Sequence, residues 1–148
     1  VYRFDAKTGK ISIVCDDFDK PNGLAFSLDE KYLYIADTGN SHNPDGPKHI
    51  RRLEVKDNGQ SLGKSVVFAD CTAGLFDGFR LDGDGRVWTS AGDGVHCYLP
   101  DGALIGKILI PELVANVVFG GANLNSLIIC GTTSRSSASL AIHGVSPY

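Results

Sequence analysis

Two residues with oxygen-bearing side chains, Asn22 and Asp77, occupy the same place in two similar stretches of the sequence. Each stands two positions before the first apolar residue of the strand-like run that follows it, in residues 20–27 (KPNGLAFS) and residues 76–82 (FDGFRLD). Amide and carboxylate oxygens are suitable ligands for hard cations such as Ca²⁺ and Mg²⁺. The recurrence therefore predicts a shared cation site. Asn-Gly and Asp-Gly are also ordinary turn dipeptides, so a purely structural interpretation stays open.

A third and weaker copy of the stretch covers residues 115–121 (ANVVFGG). When the three copies are aligned on their last large apolar residue, Ala115 takes the place of Asn22 and Asp77, and Asn116 comes one position later. Because side chains alternate along a strand, Asn116 is expected to point to the other side. The pattern therefore assigns no role to Asn116.

Short β-strands are the elements that must position these residues. Runs with alternating apolar side chains are separated by turn residues, and no segment shows helical periodicity over three turns. We predict thirteen strands and no helix longer than about two turns. The strands divide into two in residues 1–16, four in residues 17–72, four in residues 73–111 and three in residues 112–148, with the last strand at residues 139–145.

Four short antiparallel strands per repeat are typical of a β-propeller blade. The predicted fold is therefore all-β, with about three blades of a propeller. The first strand of a blade lies nearest the central axis, and successive first strands enter from the same face. Asn22 and Asp77 are consequently predicted neighbours, with the loops at residues 39–48 and 92–94 on the same face.

Three blades are fewer than the four to eight that usually close a propeller. Three large apolar residues, Leu24, Phe26 and Phe119, are therefore expected to lose part of their burial at the open ends. The sequence also begins with Val1 rather than Met. We expect the chain either to be part of a longer protein or to associate with a second chain that completes the ring.

Composition excludes several function classes. The 148 residues carry a formal charge of −3, which gives no electrostatic case for binding nucleic acid or an anionic membrane. No apolar run approaches the roughly 18 residues needed to span a bilayer. The four cysteines, Cys15, Cys71, Cys97 and Cys130, include no C-x-x-C pair. Buried free thiols are the favoured interpretation over a zinc site or disulfides, which favours a reducing compartment and thus a cytoplasmic protein.

Histidines and an aromatic residue offer weaker signals. His42 and His49 lie in or beside the polar loop and could touch a ligand, but solvated loop histidines are the simpler interpretation. His96 lies in the middle of a predicted strand without an evident partner, and Trp88 is interpreted as a core residue.

The order and spacing of these stretches resemble the C-terminal half of the six-bladed propellers of the SMP-30/gluconolactonase/LRE family. The matching stretches are residues 21–27, 33–39, 77–82, 85–88, 91–96 and 116–121. The resemblance implies a metal-dependent hydrolase that opens a lactone ring. It implies that Asn22 is a metal ligand and that Asp77 is both a metal ligand and the general base.

The resemblance also implies a small-molecule lactone substrate and a divalent metal ion, with Ca²⁺ favoured over Mg²⁺, Mn²⁺ or Zn²⁺. A glutamate ligand and a substrate-binding asparagine of the family belong to blades that have no counterpart in these residues. We therefore expect activity only together with the missing N-terminal half. The alternative functions are a non-catalytic propeller that binds a ligand or a protein, and a propeller similar to strictosidine synthase or to phosphotriesterases.

Overall fold

The fold is a succession of short antiparallel strands. A computed structural model describes residues 1–145, in which thirteen strands form four sheets. The strands are β1 (Tyr2–Phe4), β2 (Ile11–Ile13), β3 (Pro21–Phe26), β4 (Tyr32–Asp37), β5 (His49–Lys56), β6 (Ser61–Asp70), β7 (Phe79–Leu81), β8 (Val87–Ala91), β9 (Gly94–Tyr98), β10 (Leu104–Leu109), β11 (Val114–Gly120), β12 (Ser126–Gly131) and β13 (Arg135–Ser139). The predicted number of strands and their grouping into two, four, four and three are confirmed.

Each sheet is a meander in which consecutive strands are neighbours. The two four-stranded sheets have the orders β3-β4-β5-β6 and β7-β8-β9-β10, and the last sheet has the order β11-β12-β13. This is the arrangement of propeller blades, with β3, β7 and β11 as the first strands. Helical structure in the described residues is confined to two 3₁₀ turns, Gly39–Ser41 and Asp57–Gly59. Among the same residues there is no helix of the length and apolarity that a membrane crossing requires.

The last predicted strand was wrong in position. The structure places β13 at Arg135–Ser139, whereas the prediction gave residues 139–145. The apolar alternation that suggested the later strand reflects packing, because Leu140 and Ile142 lie against the core of the last sheet. The predicted blade end at residue 148 lies outside the described residues.

The start of β6 is irregular. The strand begins at Ser61, shortly after the 3₁₀ turn Asp57–Gly59. A shift of register between Leu53 and Val55 lets the early part of β6 continue to pair with β5. An irregularity of this kind adds a residue to one strand and leaves the hydrophobic pattern ambiguous.

Apolar cores lie between adjacent sheets and fix the first strands relative to one another. The larger core joins the two four-stranded sheets and includes Tyr34, Phe68 and Phe76. The next core joins β8 and β9 to the last sheet and includes Val117 and Leu127. Because sheets packed face to face hold a fixed spacing, these cores determine where the starts of β3, β7 and β11 meet.

The open ends of the fold are only partly as predicted. Leu24 and Phe26 are 51% and 50% exposed, as expected for a first strand without a neighbouring blade. Phe119 is only 7% exposed, so that expectation was wrong. Its ring packs edge-on against Trp88 of the preceding sheet, with centroids 6.3 Å apart. The preceding blade therefore covers β11, while β3 lacks such cover.

All four cysteines are free thiols, as predicted, but they are not all buried. Cys71 and Cys97 are buried, Cys15 is half-buried and Cys130 is exposed. Burial raises the pKa of the Cys97 thiol to about 12 and also raises that of Cys71. The prediction of buried thiols is therefore confirmed for Cys71 and Cys97 and wrong for Cys130, an exposed residue of β12.

Candidate active site

Asn22 lies at an irregularity near the start of β3. The strand pairs with β4 through Pro21 opposite Asp37 and Leu24 opposite Ile35, so one extra residue is accommodated between these pairs. The buried Asp37 carboxylate accepts hydrogen bonds from the backbone N–H groups of Asp19 (3.0 Å) and Lys20 (2.8 Å). These bonds hold the segment that leads into β3, and thereby fix the position of the Asn22 backbone.

Asp77 is held by the backbone just before β7. Its N–H donates to the Oγ of Ser90 (3.0 Å), a fully buried residue of β8. The next residue, Gly78, accepts a hydrogen bond from the Ser90 N–H (3.0 Å) and donates one to the carbonyl of Ala115 (2.9 Å). Asp77 is thus anchored to its own sheet and, through Gly78, to the first strand of the next.

A glycine lets the starts of β3 and β7 touch. A Cβ at Gly23 would lie 2.0 Å from the carbonyl oxygen of Asp77, a distance that no side chain could tolerate. The Asn22 amide lies near enough to the Asp77 carboxylate to lower the pKa of that group. The two side chains, 55 positions apart in sequence, are therefore neighbours as the blade geometry predicted. Their role as metal ligands stays a prediction.

Two opposing effects act on the Asp77 carboxyl. Burial raises its pKa above the ordinary value, and the nearby Asn22 amide partly offsets that rise. Burial disfavours the charged form, so binding of a proton or a cation stabilises the Asp77 carboxylate. This half-buried group is accordingly suited to accept a proton or to bind a cation.

The oxygen donors suit a hard cation but are few. An amide and a carboxylate match the ligands that Ca²⁺ and Mg²⁺ prefer, and an amide can offer its oxygen to an ion or its N–H to a carboxylate. Residues 1–145 contain no group of three or more His, Cys, Asp or Glu side chains placed to hold a metal ion.

The structure corrects the expectation for Asn116. A register shift between Val114 and Asn116 interrupts the simple alternation of β11. A Cβ at Gly78 would meet the Asn116 Oδ1 at 2.2 Å, so the Asn116 side chain lies directly against the residue that follows Asp77. Ala115 does occupy the position equivalent to Asp77, as predicted, because its carbonyl contacts Gly78 much as the Asp77 carbonyl contacts Gly23.

A network that sequence reasoning missed lies in the same blade as Asp77. The fully buried His96 contacts Asp93 through Nε2 (2.6 Å), and Lys107 donates to the other Asp93 oxygen (2.8 Å). Lys107, and to a lesser degree His96, holds the pKa of Asp93 below its ordinary value. The His96 ring also packs edge-on against Phe76, the residue before Asp77. A histidine in the middle of an apolar strand was the only available signal.

The other predicted candidates lie elsewhere. His42 is an exposed loop residue whose Nδ1 lies 2.8 Å from the Oγ of Ser41. His49 belongs to β5 rather than the loop, is only partly exposed and lies 3.8 Å from Asp70. Trp88 packs in the core as predicted, and its Nε1–H donates to the buried Asp82 (2.9 Å).

Comparison with known proteins identifies relatives over nearly the whole chain. The lactonohydrolase OryH of Aspergillus oryzae is 30% identical over 97% of this chain and 34% of its own length. The 6-deoxy-6-sulfogluconolactonase of Pseudomonas putida is 32% identical over 92% of this chain and 46% of its own length. The chain thus spans between about a third and a half of the curated relatives that it matches.

A solved structure agrees with these matches. A gluconolactonase of Xanthomonas campestris superimposes with a TM-score of 0.82 at 32% identity, over 97% of this chain and 44% of that one. The sequence pattern of the family described as SMP-30/Gluconolactonase/LRE-like region matches residues 1–134. Fold, sequence pattern and relatives agree, and the chain belongs to the SMP-30/gluconolactonase/LRE-like family.

Proposed function

We propose that the complete protein containing these residues is a metal-dependent lactone hydrolase in which Asp77 is the general base. The observation that carries the proposal is the pairing of Asn22 with a half-buried Asp77 at the point where two first strands meet. The relatives named as lactonases support the reaction class. The substrate is a small lactone, and the product is the corresponding hydroxy acid.

Asn22 and Asp77 are the residues of this chain that would hold the metal ion. Their oxygens favour Ca²⁺, with Mg²⁺, Mn²⁺ or Zn²⁺ as alternatives. When bound, such an ion supplies Lewis-acid polarisation of the lactone carbonyl. Its remaining ligands come from water and from parts of the protein beyond these residues, since one carboxylate and one amide are too few for Ca²⁺.

The chemical role of Asp77 follows from its surroundings. It accepts a proton from the water that attacks the lactone carbonyl carbon. The acyl C–O bond of the ring then breaks, and the departing ring oxygen takes up a proton to give the hydroxyl of the product. A carboxyl whose pKa is raised by burial is a stronger proton acceptor than an exposed one, and the nearby Asn22 amide partly offsets that rise.

The rest of the propeller is the partner that this chain requires. Leu24 and Phe26 of β3 are half exposed, and the hairpin β1–β2 exposes Tyr2 and Phe4. The curated relatives extend well beyond the matched region, so the missing blades are the natural cover for this apolar surface. A second chain that completes the ring would serve the same purpose.

The replacement Asp77→Asn tests the proposed function. In the complete protein it should lower the hydrolysis of gluconolactone or a pentonolactone by at least about 100-fold, because general-base catalysis contributes about 10²- to 10⁴-fold. Circular dichroism should be unchanged, and calorimetric titration with Ca²⁺ should show weaker binding. The control is Asp16→Asn, which neutralises an exposed carboxylate before β3. Full activity of Asp77→Asn would contradict the role of Asp77, and a wild type that hydrolyses no lactone would favour a non-catalytic binding propeller.

A further inference from the structure

The side chain of Asn116 is the third polar group at the meeting point of the first strands. Its Oδ1 accepts a hydrogen bond from the Val117 N–H (2.8 Å). A backbone N–H can only donate, so this contact identifies the oxygen of the amide and leaves Nδ2 as its donor. Asn116 is an exposed residue.

The position of Asn116 follows from the contacts between the starts of the three first strands. The carbonyl of Asp77 lies against Gly23, and the carbonyl of Ala115 accepts from the Gly78 N–H (2.9 Å). Asn116 thus occupies in β11 the place that glycine occupies in β3 and β7. The amide that is missing at Ala115 is supplied one residue later, where the Asn116 side chain lies against Gly78.

The contact with Gly78 is close and specific. The three heavy atoms nearest to a Cβ at Gly78 would all belong to the Asn116 amide, at 2.2, 2.3 and 2.9 Å. Glycine at position 78 therefore leaves room for the amide beside Asp77. The fold by itself does not require this contact, because the end of the flexible Asn116 side chain could turn away from Gly78.

We propose that Asn116 is a substrate-binding residue whose Nδ2–H donates to an oxygen of the bound lactone. This inference rests on the proposed function. It gives Asn116 a contact with the substrate and none with the metal ion. The hydrogen bond is present both in the bound substrate and in the transition state. Its loss therefore weakens substrate binding more than it slows the chemical step.

The test compares Asn116→Ala and Gly78→Ala in the complete protein, with gluconolactone and pentonolactones as probes. Asn116→Ala should raise KM by about 3- to 10-fold, the range for one neutral hydrogen bond, with kcat within twofold of the wild type. Gly78→Ala should raise KM similarly, because its methyl group displaces the amide. The double variant should resemble Asn116→Ala alone. Calorimetric affinity for Ca²⁺ should not change in any of the three.

Three outcomes would overturn the inference. An unchanged KM in Asn116→Ala, with or without a lower melting temperature, would show that the amide only supports the Val117 backbone. Weaker Ca²⁺ binding would make Asn116 a contributor to the metal site. Additive effects in the double variant would show that Gly78→Ala acts by another route. Failure of the proposed function is distinguishable, since Asp77→Asn would then remain active.

Discussion

The contact between Gly23 and Asp77 allows a quantitative prediction for Gly23→Ala. The added Cβ would lie 2.0 Å from the Asp77 carbonyl oxygen, whereas separations below 3.0 Å are essentially never found. The two first strands must therefore separate by about 1 Å. The backbone at Gly23 does not adopt a positive φ, so the effect of alanine is steric and not conformational.

The displacement acts on both stability and activity. Insertion of a methyl group into a closely packed contact costs about 1 to 3 kcal/mol of unfolding free energy. A misplacement of about 1 Å between catalytic groups can lower the rate by about 100-fold. We therefore expect Gly23→Ala to unfold at a lower denaturant concentration, to bind Ca²⁺ more weakly and to lose about 100-fold in kcat/KM.

Chemical denaturation, calorimetry and lactone hydrolysis on the complete protein measure these effects. The matched control is Gly106→Ala in β10, where no atom lies within 4 Å of the added Cβ and the change in stability should stay within about 0.5 kcal/mol. If Gly23→Ala matched Gly106→Ala in Ca²⁺ affinity and activity, the close approach of β3 and β7 would not position the site.

Two further predictions concern stability and association. Hydrogen bonds from Arg51 lower the pKa of Asp17 to about 2 from an ordinary 3.8, so the bridge stabilises the fold above about pH 4 and loses its effect as the pH falls through 2. Asp17→Asn should therefore lower the free energy of unfolding by less than about 1 kcal/mol at pH 7, because the Asp17 side chain is largely exposed. At pH 2 the variant and the wild type should unfold at the same urea concentration. An equal loss of stability at both pH values would refute this prediction. The isolated 148-residue chain should associate in light scattering through its exposed apolar residues, and a monodisperse 15.7 kDa monomer with cooperative unfolding would contradict that expectation.

Much of the fold could be predicted from the sequence because it depends on local patterns. Alternating apolar residues and turn dipeptides specify where strands begin and end, and their repetition specified thirteen strands in blades. The neighbourhood of Asn22 and Asp77 was also predictable. It follows from topology alone, since equivalent positions of successive first strands converge on one opening.

Other features depended on contacts between residues far apart in the chain. Phe119 is buried because Trp88 of the preceding blade covers it. The contact between His96 and Asp93 depends on the conformation of the turn that carries Asp93, which the sequence pattern does not reveal. The strand predicted at residues 139–145 failed because apolar side chains pack equally well from an irregular segment. A pattern records which side chains are apolar and not what they pack against.

The sequence by itself determined that an amide and a carboxylate recur at equivalent places. Only the tertiary structure shows that the Asn116 side chain lies against Gly78, the residue after Asp77. An extra residue in β11 changes which way the following side chains point, and nothing in the alternation of a single strand reveals such an irregularity. The approach of β3 and β7 depends on the absence of a side chain at Gly23, and the place of the Asn116 amide depends on its absence at Gly78. Both conditions are visible only when the neighbouring residues are in place.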